Sequence, residues 1–529
     1  MDTKALRQKI LDLAIRGKLV PQDPNDEPAS ALLERIRVEK QQMVKEEKLK
    51  PKDIKNDTVI FKADDNLHYE KFQDGTVKCI EDEIPFELPE GWEWARLKDL
   101  LNVCSSKRVL QSDWKNEGIP FYRAREIIKL SENDFIDNEL FISEEHYLEL
   151  KKNYGVPQSG DLMVSSVGTI GKVYIVKPED LFYYKDASVL CFENKNKLLV
   201  SQFAKILLES SFVQSQMRDN SKGTTVDTIT ISAATNYLCI VPPKNEQLRI
   251  VDAAQRALVK VIQIQSNKDV LQATITNAKS KILDLAIRGK LVPQDPNDEP
   301  ASVLLERIRA EKEGLIKQGK IKRDKKDSVI FKGDDNSYYL RTGKLEESFD
   351  AWQFDNLPET WEICRLGEVC NYGDCINVDT ADIADDAWIL DLDDIEKDTG
   401  RIFKKIKKFQ RNSISTKHQF HSGQVLYSKL RPYLNKVVLP DDDGYCTSEI
   451  LPLEFANCII PEYARYYIMS KTFLAYADRC SYGVKMPRLG TADGKKAIFP
   501  LPPLAEQERI VKRITNVYKQ LDLISNALL

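Results

Sequence analysis

Apolar residues in the middle of the chain recur at alternating steps of four and three. The steps run through Ile250, Ala254, Ala257, Val261, Ile264, Leu271, Ile275, Ala278, Ile282 and Leu285 to Gly289, and only Lys268 interrupts them. This spacing is typical of a coiled-coil seam, and a helix of that length would extend about 60 Å. Because Pro293 and Pro296 follow Gly289, we expect the helix to end there in a left-handed cap.

The same seam occurs a second time, divided between the two ends of the chain. Its first half is Ile510, Ile514, Val517, Leu521, Ile524 and Leu528, and its second half is Leu6, Ile10, Leu13 and Gly17. The two halves would join almost without a gap, so we expect a complete chain with neighbouring termini. The predicted arrangement is an antiparallel pair of long helices about a pseudo-two-fold axis. The alternative is that each stretch is an ordinary amphipathic core helix.

An internal repeat supports this arrangement. Residues 9–40 and 281–312 differ only at Ala31/Val303 and Val38/Ala310, at an offset of 272. Residues 242–251 and 502–511 match at a different offset, 260, through the pattern Pro-Pro-x-x-Glu-Gln-x-Arg-Ile-Val. The chain is therefore two copies of one unit, circularly permuted.

Two variable segments lie between the repeats and carry short strand-like runs followed by helical stretches near 199–218 and 461–478. This alternation predicts α+β domains. The predicted divisions are a helical region with a hairpin at 1–85, a domain at 86–244, a central region with the long helix at 245–354, a domain at 355–503 and a terminal helix at 504–529.

Composition restricts the class of protein. Among 529 residues, 82 acids and 78 bases give a net charge of -4, which excludes a uniformly basic nucleic-acid coat. No apolar run reaches the roughly 18 residues of a membrane span, and the charged start does not resemble a signal peptide. The ten cysteines include no Cys-x-x-Cys pair, so we expect reduced thiols in a soluble cytoplasmic protein with no membrane partner.

The enzyme motifs are missing. The Gly168-Thr-Ile-Gly-Lys172 stretch lacks the spacing of a phosphate loop, so a tight turn between strands is expected. Asp391 and Asp394 alternate with apolar residues, which favours an exposed strand face over a metal site. His418 and His421 have no partners at zinc spacing. We therefore predict no catalytic residue, no metal and no cofactor in this chain.

Basic and aromatic residues cluster at equivalent places in the two variable domains. Arg and Lys can bind phosphates or guanine edges, and Asn and Ser can bind other base edges. A basic run, Lys404 to Arg411, adds to the second domain. The predicted DNA-binding residues of the first domain are Lys107, Arg108, Arg123, Arg125, Ser165, Ser166, Thr169, Lys172, Lys222, Thr224 and Thr225. Those of the second are Tyr427, Ser428, Lys429, Arg431, Tyr433, Asn435, Lys436, Tyr482, Lys485 and Arg488.

The chain closely resembles the DNA-specificity (S) subunit of Type I restriction–modification systems. The resemblance rests on the repeated KILDLAIRGKLVPQDPNDEPAS segments, the GTIGKV stretch, LYSKLRPYLNKV and CTSEILPLEF, and it extends over essentially the whole length. It implies two target-recognition domains separated by conserved helices in an antiparallel coiled coil. Each domain would recognise one half of a bipartite DNA site with a fixed spacer, set by the helix length.

The resemblance also implies partners. Two modification (methyltransferase) subunits that bind S-adenosylmethionine would dock on the repeats and methylate adenine, and two ATP- and Mg-dependent restriction (translocase–nuclease) subunits would complete the endonuclease. The docking residues expected on the repeats are Leu13, Arg16, Leu19, Leu285, Arg288 and Leu291. Two alternatives stay open at this point: a coiled-coil scaffold that pairs proteins without DNA, and the recognition half of a fused methyltransferase–nuclease.

Overall fold

A computed structural model describes residues 2–47, 54–133, 136–195, 197, 199–221, 226–319, 328–333, 335, 337–351, 354, 356–411 and 414–528. By its contacts the chain divides into two compact units, each contiguous in sequence. Unit 1 comprises Met1–Asn267 and unit 2 comprises Lys268–Leu529. We describe each unit by itself.

Helices occur in both units, and one of them continues from unit 1 into unit 2. They are α1 (Thr3–Ile15), α2 (Ala29–Lys45), α3 (Leu97–Leu100), α4 (Ala124–Asn133), α5 (Glu144–Tyr154), α6 (Ser201–Glu209), α7 (Ser211–Asp219), α8 (Ile231–Thr235), α9 (Lys244–Ala286), α10 (Ala301–Lys317), α11 (Leu366–Val369), α12 (Pro461–Ile468), α13 (Lys471–Cys480), α14 (Thr491–Lys496) and α15 (Leu504–Leu528). The continuous helix is α9, at 43 residues. Within the described residues, no helix combines the length and the apolar character needed to cross a bilayer.

Strands form the sheets of each unit. In unit 1 they are β1 (Thr58–Lys62), β2 (His68–Phe72), β3 (Val77–Cys79), β4 (Glu93–Arg96), β5 (Asn102–Cys104), β6 (Ile119–Tyr122), β7 (Phe141–Ile142), β8 (Leu162–Ser165), β9 (Val173–Ile175), β10 (Tyr183–Tyr184), β11 (Val189–Glu193) and β12 (Leu238–Val241). In unit 2 they are β13 (Ser328–Lys332), β14 (Tyr338–Thr342), β15 (Leu345–Ser348), β16 (Glu362–Arg365), β17 (Ile376–Val378), β18 (Trp388–Leu390), β19 (Ile406–Lys407), β20 (Lys417–Phe420), β21 (Val425–Ser428), β22 (Val437–Val438), β23 (Gly444–Thr447), β24 (Ile450–Leu453), β25 (Ser481–Tyr482), β26 (Arg488–Leu489) and β27 (Ile498–Leu501).

In each variable domain, the first strand pairs with the last strand in an antiparallel manner. In unit 1, β4 pairs with β12, and the strands between them in sequence form a sheet of order β5-β11-β8-β9 and a sheet of order β10-β6-β7. In unit 2, β16 pairs with β27, and the strands between them in sequence include sheets of order β17-β20-β23-β18-β19 and β22-β21-β24. The repeats contribute the antiparallel sheets β1-β2-β3 and β13-β14-β15. This mixture of helices and strands confirms the predicted α+β class.

The helix seams pair in an antiparallel manner inside each unit. In unit 1, the Thr3 hydroxyl at the start of α1 donates to Gln265 near the far end of the first part of α9. Ile10 of α1 and Ile250 of α9 are both buried in the same apolar core. In unit 2, the hydroxyl of Tyr518 on α15 donates to the Lys279 carbonyl of α9 at 2.9 Å.

The predicted seam loosens near the C-terminal end of α15. The hydroxyl of Ser525 donates to Gln272 of α9 at 2.8 Å, and this contact lies among the last residues of α15. The two seam residues at this level, Leu271 and Ile524, are exposed by 38% and 47%. The seam prediction is therefore wrong for these two residues, because α15 ends nearby and leaves them little apolar surface to pack against.

Both helices of the repeat end as predicted. Gly17 and Gly289 follow α1 and α9 with φ of 64° and 65°, which is the left-handed region that glycine adopts at low cost. A Cβ at Gly17 would lie 2.3 Å from Cγ of Pro89, and one at Gly289 would lie 2.4 Å from Cγ of Pro358. Glycine is thus required twice over at each position, by conformation and by space.

The Glu-Gln pair of the repeated helix start holds each unit together at one point. Glu246 is buried and accepts a hydrogen bond from Nε1 of Trp92 at 2.8 Å and another from Gln22 at 3.1 Å. Glu506 is buried in the same way and accepts from Nε1 of Trp361 at 2.8 Å. Each carboxylate therefore connects the start of a long helix to the residue directly before the first strand of a variable domain.

The glutamine that follows connects the same helix start to the domain's own helices. Oε1 of Gln247 accepts from the backbone N–H of Val200 at 2.8 Å, directly before α6. Oε1 of Gln507 accepts from the backbone N–H of Ile460 at 2.9 Å, directly before α12. The repeated sequence motif is therefore a repeated set of contacts.

Each predicted helical stretch after the strands is two helices. Ser210 separates α6 from α7, and its hydroxyl accepts from the N–H of Val213. Ser470 separates α12 from α13 and accepts in the same way from the N–H of Phe473. A serine hydroxyl that binds a free N–H stabilises a new helix start, so the single stretches near 199–218 and 461–478 are interrupted.

Candidate nucleic-acid interface

In unit 1 the stretch between β8 and β9 is a tight turn, as predicted. Gly168 and Gly171 both have φ of 76°. The Ser165 hydroxyl donates to the Thr169 carbonyl at 2.7 Å and accepts from the Lys172 N–H at 3.0 Å. These bonds close the turn and leave the side chain of Thr169 exposed at its tip.

This turn is joined to the segment that follows α7. The N–H of Gly168 donates to the Asp227 carbonyl at 3.1 Å, and the N–H of Ile229 donates to the Ser166 carbonyl at 2.8 Å. The predicted contact residues Lys222, Thr224 and Thr225 lie outside the described residues. Their neighbours on the C-terminal side nevertheless pack directly against the turn.

Residues 105–108 lie beside the same turn. The Ser166 hydroxyl donates to the Ala187 carbonyl at 2.9 Å, and the Ala187 N–H donates to the hydroxyl of Ser105. Lys107 and Arg108 follow and are exposed, with Nζ of Lys107 5.3 Å from the ring centre of Tyr154. Unit 1 therefore presents two predicted cations next to its turn.

Three further predicted cations of unit 1, Arg123, Arg125 and Lys172, are paired with acids. The buried Glu126 binds both Arg123, at 2.9 Å, and Arg125, at 2.8 Å, and Arg125 also binds Glu139 at 2.7 Å. Burial alone would raise the pKa of Glu126, but the hydrogen bonds from the two arginines hold it below its ordinary value. Lys172 is paired with an exposed acid, Glu132, at 2.8 Å.

In unit 2 the loop between β21 and β22 has the place that the turn has in unit 1. Arg431 and Asn435 both have left-handed backbones, with φ of 51° and 48°. Nζ of Lys436 donates to the Leu392 carbonyl at 2.6 Å. The loop turns back on itself between these points and leaves the side chains of Arg431 and Tyr433 exposed.

Backbone hydrogen bonds join the β25–β26 hairpin to this loop. The segment after α7 is joined to the turn of unit 1 in the same way. The N–H of Arg431 donates to the Pro487 carbonyl at 2.7 Å, and the N–H of Leu489 donates to the Lys429 carbonyl at 3.0 Å. The two segments form one continuous exposed area, which we call the hairpin surface. Its members are Lys429, Arg431, Tyr433, Tyr482, Val484, Lys485 and Met486.

Arg488 stabilises the base of the hairpin through an ion pair. Its guanidinium binds the carboxylate of Glu449 through contacts of 2.7, 3.1 and 3.1 Å. These hydrogen bonds raise the pKa of Arg488 above its ordinary value. The arrangement fixes the base of the hairpin to the start of β24.

Five of the predicted contact side chains are buried. Tyr427 packs its ring 5.6 Å from that of Phe473 in the core of unit 2, and burial raises the pKa of its hydroxyl. A buried side chain has no surface for a base or phosphate, so as contacts these five predictions are wrong for this structure, although their backbones carry the loops. They are Ser165, Ser166, Tyr427, Ser428 and Asn435.

Part of the basic run in unit 2 neutralises acids of its own domain. Arg411 binds Asp391 at 2.6 Å and the buried Asp394 more closely. The strand before these acids, Trp388–Leu390, is buried throughout. The expected exposed strand face is therefore wrong, because Arg411 compensates the two carboxylates inside the domain.

The histidines do not come together. Nδ1 of His418 lies 2.7 Å from the Ile450 carbonyl, whereas Nδ1 of His421 lies 3.1 Å from Asp443 on the exterior. Among the residues that the structure describes, no group of three or more His, Cys, Asp or Glu side chains could hold a metal ion.

The predicted docking residues of the repeat lie at equivalent places in the two units. The guanidinium of Arg16 sits 4.6 Å from the ring centre of Phe86 and is exposed. Its counterpart Arg288 is half-buried, as are the four leucines of the predicted set, Leu13, Leu19, Leu285 and Leu291. Each keeps some surface for a partner, and docking stays a prediction.

Sequence reasoning missed three residues of the candidate interface. Glu449 lies 39 positions before Arg488, a separation that no local pattern indicates. Val484 and Met486 are apolar and stand between predicted contact residues, but apolar residues are ordinarily assigned to a core. Both are exposed.

Comparisons with known proteins place these features in a family. The family model for the Type I restriction modification DNA specificity domain matches twice, at residues 89–270 and 358–529. The EcoAI specificity subunit of Escherichia coli is 28% identical over 97% of this chain and 88% of its own length, and the EcoEI specificity subunit is 29% identical over 69% and 61%. A structure solved for complex assembly and conformational transition of the type I R-M system has the same fold, with a TM-score of 0.51 and 16% identity over 84% of this chain and 94% of that one.

Proposed function

Since the chain belongs to the Type I restriction modification DNA specificity family, we propose that each unit recognises one half of a bipartite DNA site. The chain is a DNA-specificity subunit of a Type I restriction–modification system, and we assign the catalytic steps to its partners. The resemblance found in the sequence is therefore confirmed, and neither the protein scaffold nor the fused methyltransferase–nuclease is supported.

One observation supports the division into half-sites. In each unit, a turn after a buried strand is hydrogen-bonded to the segment after the second helix of a helix pair. In each unit, cations stand on or beside that junction: Lys107 and Arg108 in unit 1, and Lys429, Arg431 and Lys485 in unit 2. A surface built twice from different side chains suits two different half-sites.

The side chains divide by the contact they can make. The planar guanidinium of Arg431 can bind guanine O6 and N7 in the major groove, whereas lysine ammonium groups suit phosphates. Phosphate contacts fix the position of a protein on DNA, and base contacts give specificity. We assign Arg431 and Arg108 to base edges and Lys429, Lys485 and Lys107 to phosphates.

Partners supply the chemistry. Two modification subunits with S-adenosylmethionine would dock on the repeats, around Arg16 and Arg288, and methylate an adenine flipped from the helix. Two restriction subunits would add ATP-dependent cleavage. With a net charge of -4, the chain alone should bind DNA weakly, and partners would contribute most phosphate contacts.

The first test is single-molecule sequencing of a genome modified by this chain together with its cognate modification subunit. We expect N6-methyladenine at one split motif, lost when the chain is omitted. A soluble complex that methylates nothing would contradict the proposal.

A matched pair of variants tests the division into half-sites. Arg431→Ala should weaken recognition of one half of the motif and Arg108→Ala that of the other, each by about 5- to 150-fold for a lost bidentate base contact of about 1–3 kcal/mol. The measurement is the methylation rate on duplexes with substitutions in one half-site at a time. Equal losses for both halves from either variant would contradict the assignment.

The role of helix length in setting the spacer stays a prediction. Adding one helical turn to each seam should lengthen the spacer of the methylated motif and leave both half-sites unchanged. A motif with its original spacer would contradict this role.

A further inference from the structure

The tip of the β25–β26 hairpin presents apolar side chains to solvent. Val484 is wholly exposed, Tyr482 is exposed by 63% and Met486 by 45%. Gly483 has a φ of 97°, a conformation that turns the chain sharply at the start of the tip. Exposed apolar side chains at the end of a projecting hairpin lower solubility unless they bind something.

The hairpin is held firmly at its base. β25 and β26 pair through Ser481↔Leu489 and Tyr482↔Arg488, and Leu489 is fully buried. The Ser481 hydroxyl donates to the Ala477 carbonyl of α13 at 2.7 Å. Together with the ion pair of Arg488 and Glu449, these contacts make the base rigid, so the apolar tip is aimed in one direction.

The surroundings of the tip favour a polyanion. Arg431 and Lys485 are exposed on the hairpin surface. Within the described ranges that end at residue 528, neither side chain takes part in an ion pair or hydrogen bond. The acid nearest the hairpin in the contacts described above, Glu449, is already neutralised by Arg488. An apolar tip with unpaired cations beside it suits the DNA groove, where phosphates line both edges.

We propose that the hairpin tip is a wedge, with Val484 and Met486 inserted between two stacked base pairs of the half-site recognised by unit 2. This inference rests on the proposed function and extends it to a site of DNA deformation. Insertion of apolar side chains unstacks a base step at a cost that the enlarged contact surface offsets. Pyrimidine–purine steps unstack most easily, so we expect one of them at the insertion point.

The experiment uses the complex of the full chain with its cognate modification subunit, after the motif has been identified by sequencing. The probes are duplexes of that motif, each with 2-aminopurine at one position of the unit 2 half-site, because unstacking raises its fluorescence. Apart from the position of the adenine that the modification subunit flips, wild type should raise the signal at one step only. The variant V484A/M486A should abolish that rise and weaken binding about tenfold, with an unchanged salt dependence because no charge is altered.

Leu345→Ala is the matched control, since Leu345 is an exposed apolar residue of unit 2, at 58%, in the sheet of the repeat. It should leave the fluorescence and the affinity unchanged. If the motif is bound but wild type raises no signal at any step away from the flipped adenine, or if V484A/M486A binds as tightly as wild type, the wedge is wrong and the proposed function stands. If wild type binds no motif at all, the proposed function itself fails.

Discussion

Glu449→Gln separates the supporting role of Arg488 from direct DNA contact. The substitution removes the carboxylate that binds the guanidinium through three contacts of 2.7 to 3.1 Å. Charge-assisted hydrogen bonds of this kind contribute about 1.5–3 kcal/mol. The two side chains are exposed by 31% and 24%, and screening by solvent reduces the contribution to about 1–2 kcal/mol.

That free energy fixes the expected loss of binding. If the ion pair holds the hairpin in place, specific affinity for the motif should fall by about 5- to 30-fold. Affinity for unrelated DNA should rise instead, because the released guanidinium adds one positive charge. The slope of log affinity against log salt should become steeper by about one. Fluorescence anisotropy with motif and non-motif duplexes, measured between 50 and 200 mM salt as is usual for such slopes, gives both quantities.

Glu346→Gln is the matched control, since it removes the same charge from an exposed pair with Arg341, at 2.7 Å, in the sheet of the repeat. It should change neither specific affinity nor its dependence on the unit 2 half-site. Unchanged or tighter specific binding by Glu449→Gln would refute the supporting role and would favour Arg488 as a direct DNA contact.

Three further predictions concern stability. Burial raises the pKa of Asp99 from 3.8 to about 6, so ionisation of this carboxyl lowers the free energy of unfolding as the pH rises from about 4 to 6. Asp99→Asn should remove this pH dependence and stabilise the chain by up to about 3 kcal/mol at pH 7. Equal urea unfolding curves for the variant and wild type at pH 7 would contradict this. Gly289→Ala should lower the free energy of unfolding by more than the about 1–2 kcal/mol of an alanine in the left-handed conformation. Gly343→Ala, with φ of 63° and open space around the Cβ, should lower it by only that amount. Similar melting temperatures for the two variants would show that the close contact at Gly289 relaxes. Burial raises the pKa of Glu506, and loss of the indole donor in Trp361→Phe should raise this pKa further. The free energy of unfolding of the variant should therefore fall by about 1–3 kcal/mol at pH 8 and by less at pH 4. A loss of stability that does not depend on pH would show that only packing is affected.

Periodicity and repetition predicted the framework of the fold correctly. The four-three spacing shows where helices bury a face, and Gly17 and Gly289 mark their ends, because both signals depend on neighbours in sequence. The repeated Glu-Gln pair indicated equivalent helix starts. Its role as the acceptor for Trp92 and Trp361 was not predictable, since those tryptophans lie about 150 residues away.

For the candidate interface, the sequence indicated regions more reliably than the exposure of single residues. The turn at 165–172 and the loop at 427–436 were singled out at equivalent places of the two domains, and in the structure each is hydrogen-bonded to the segment after a helix pair. Tyr427 was nevertheless misplaced, because an aromatic residue in a basic stretch suits both a DNA contact and a core position. Its strand neighbours, Val425 and Leu426, are buried as well, so the strand is covered on both faces and alternation gives no guidance.

The contiguity of the two units has a consequence for synthesis on the ribosome. The repeat is permuted in sequence, yet each compact unit is one contiguous stretch, Met1–Asn267 for unit 1 and Lys268–Leu529 for unit 2. Domains fold as units, and translation proceeds at about 5–20 residues per second. Unit 1 therefore has every residue it needs roughly 10–50 s before unit 2 is finished, and the two copies never compete for the same nascent segment.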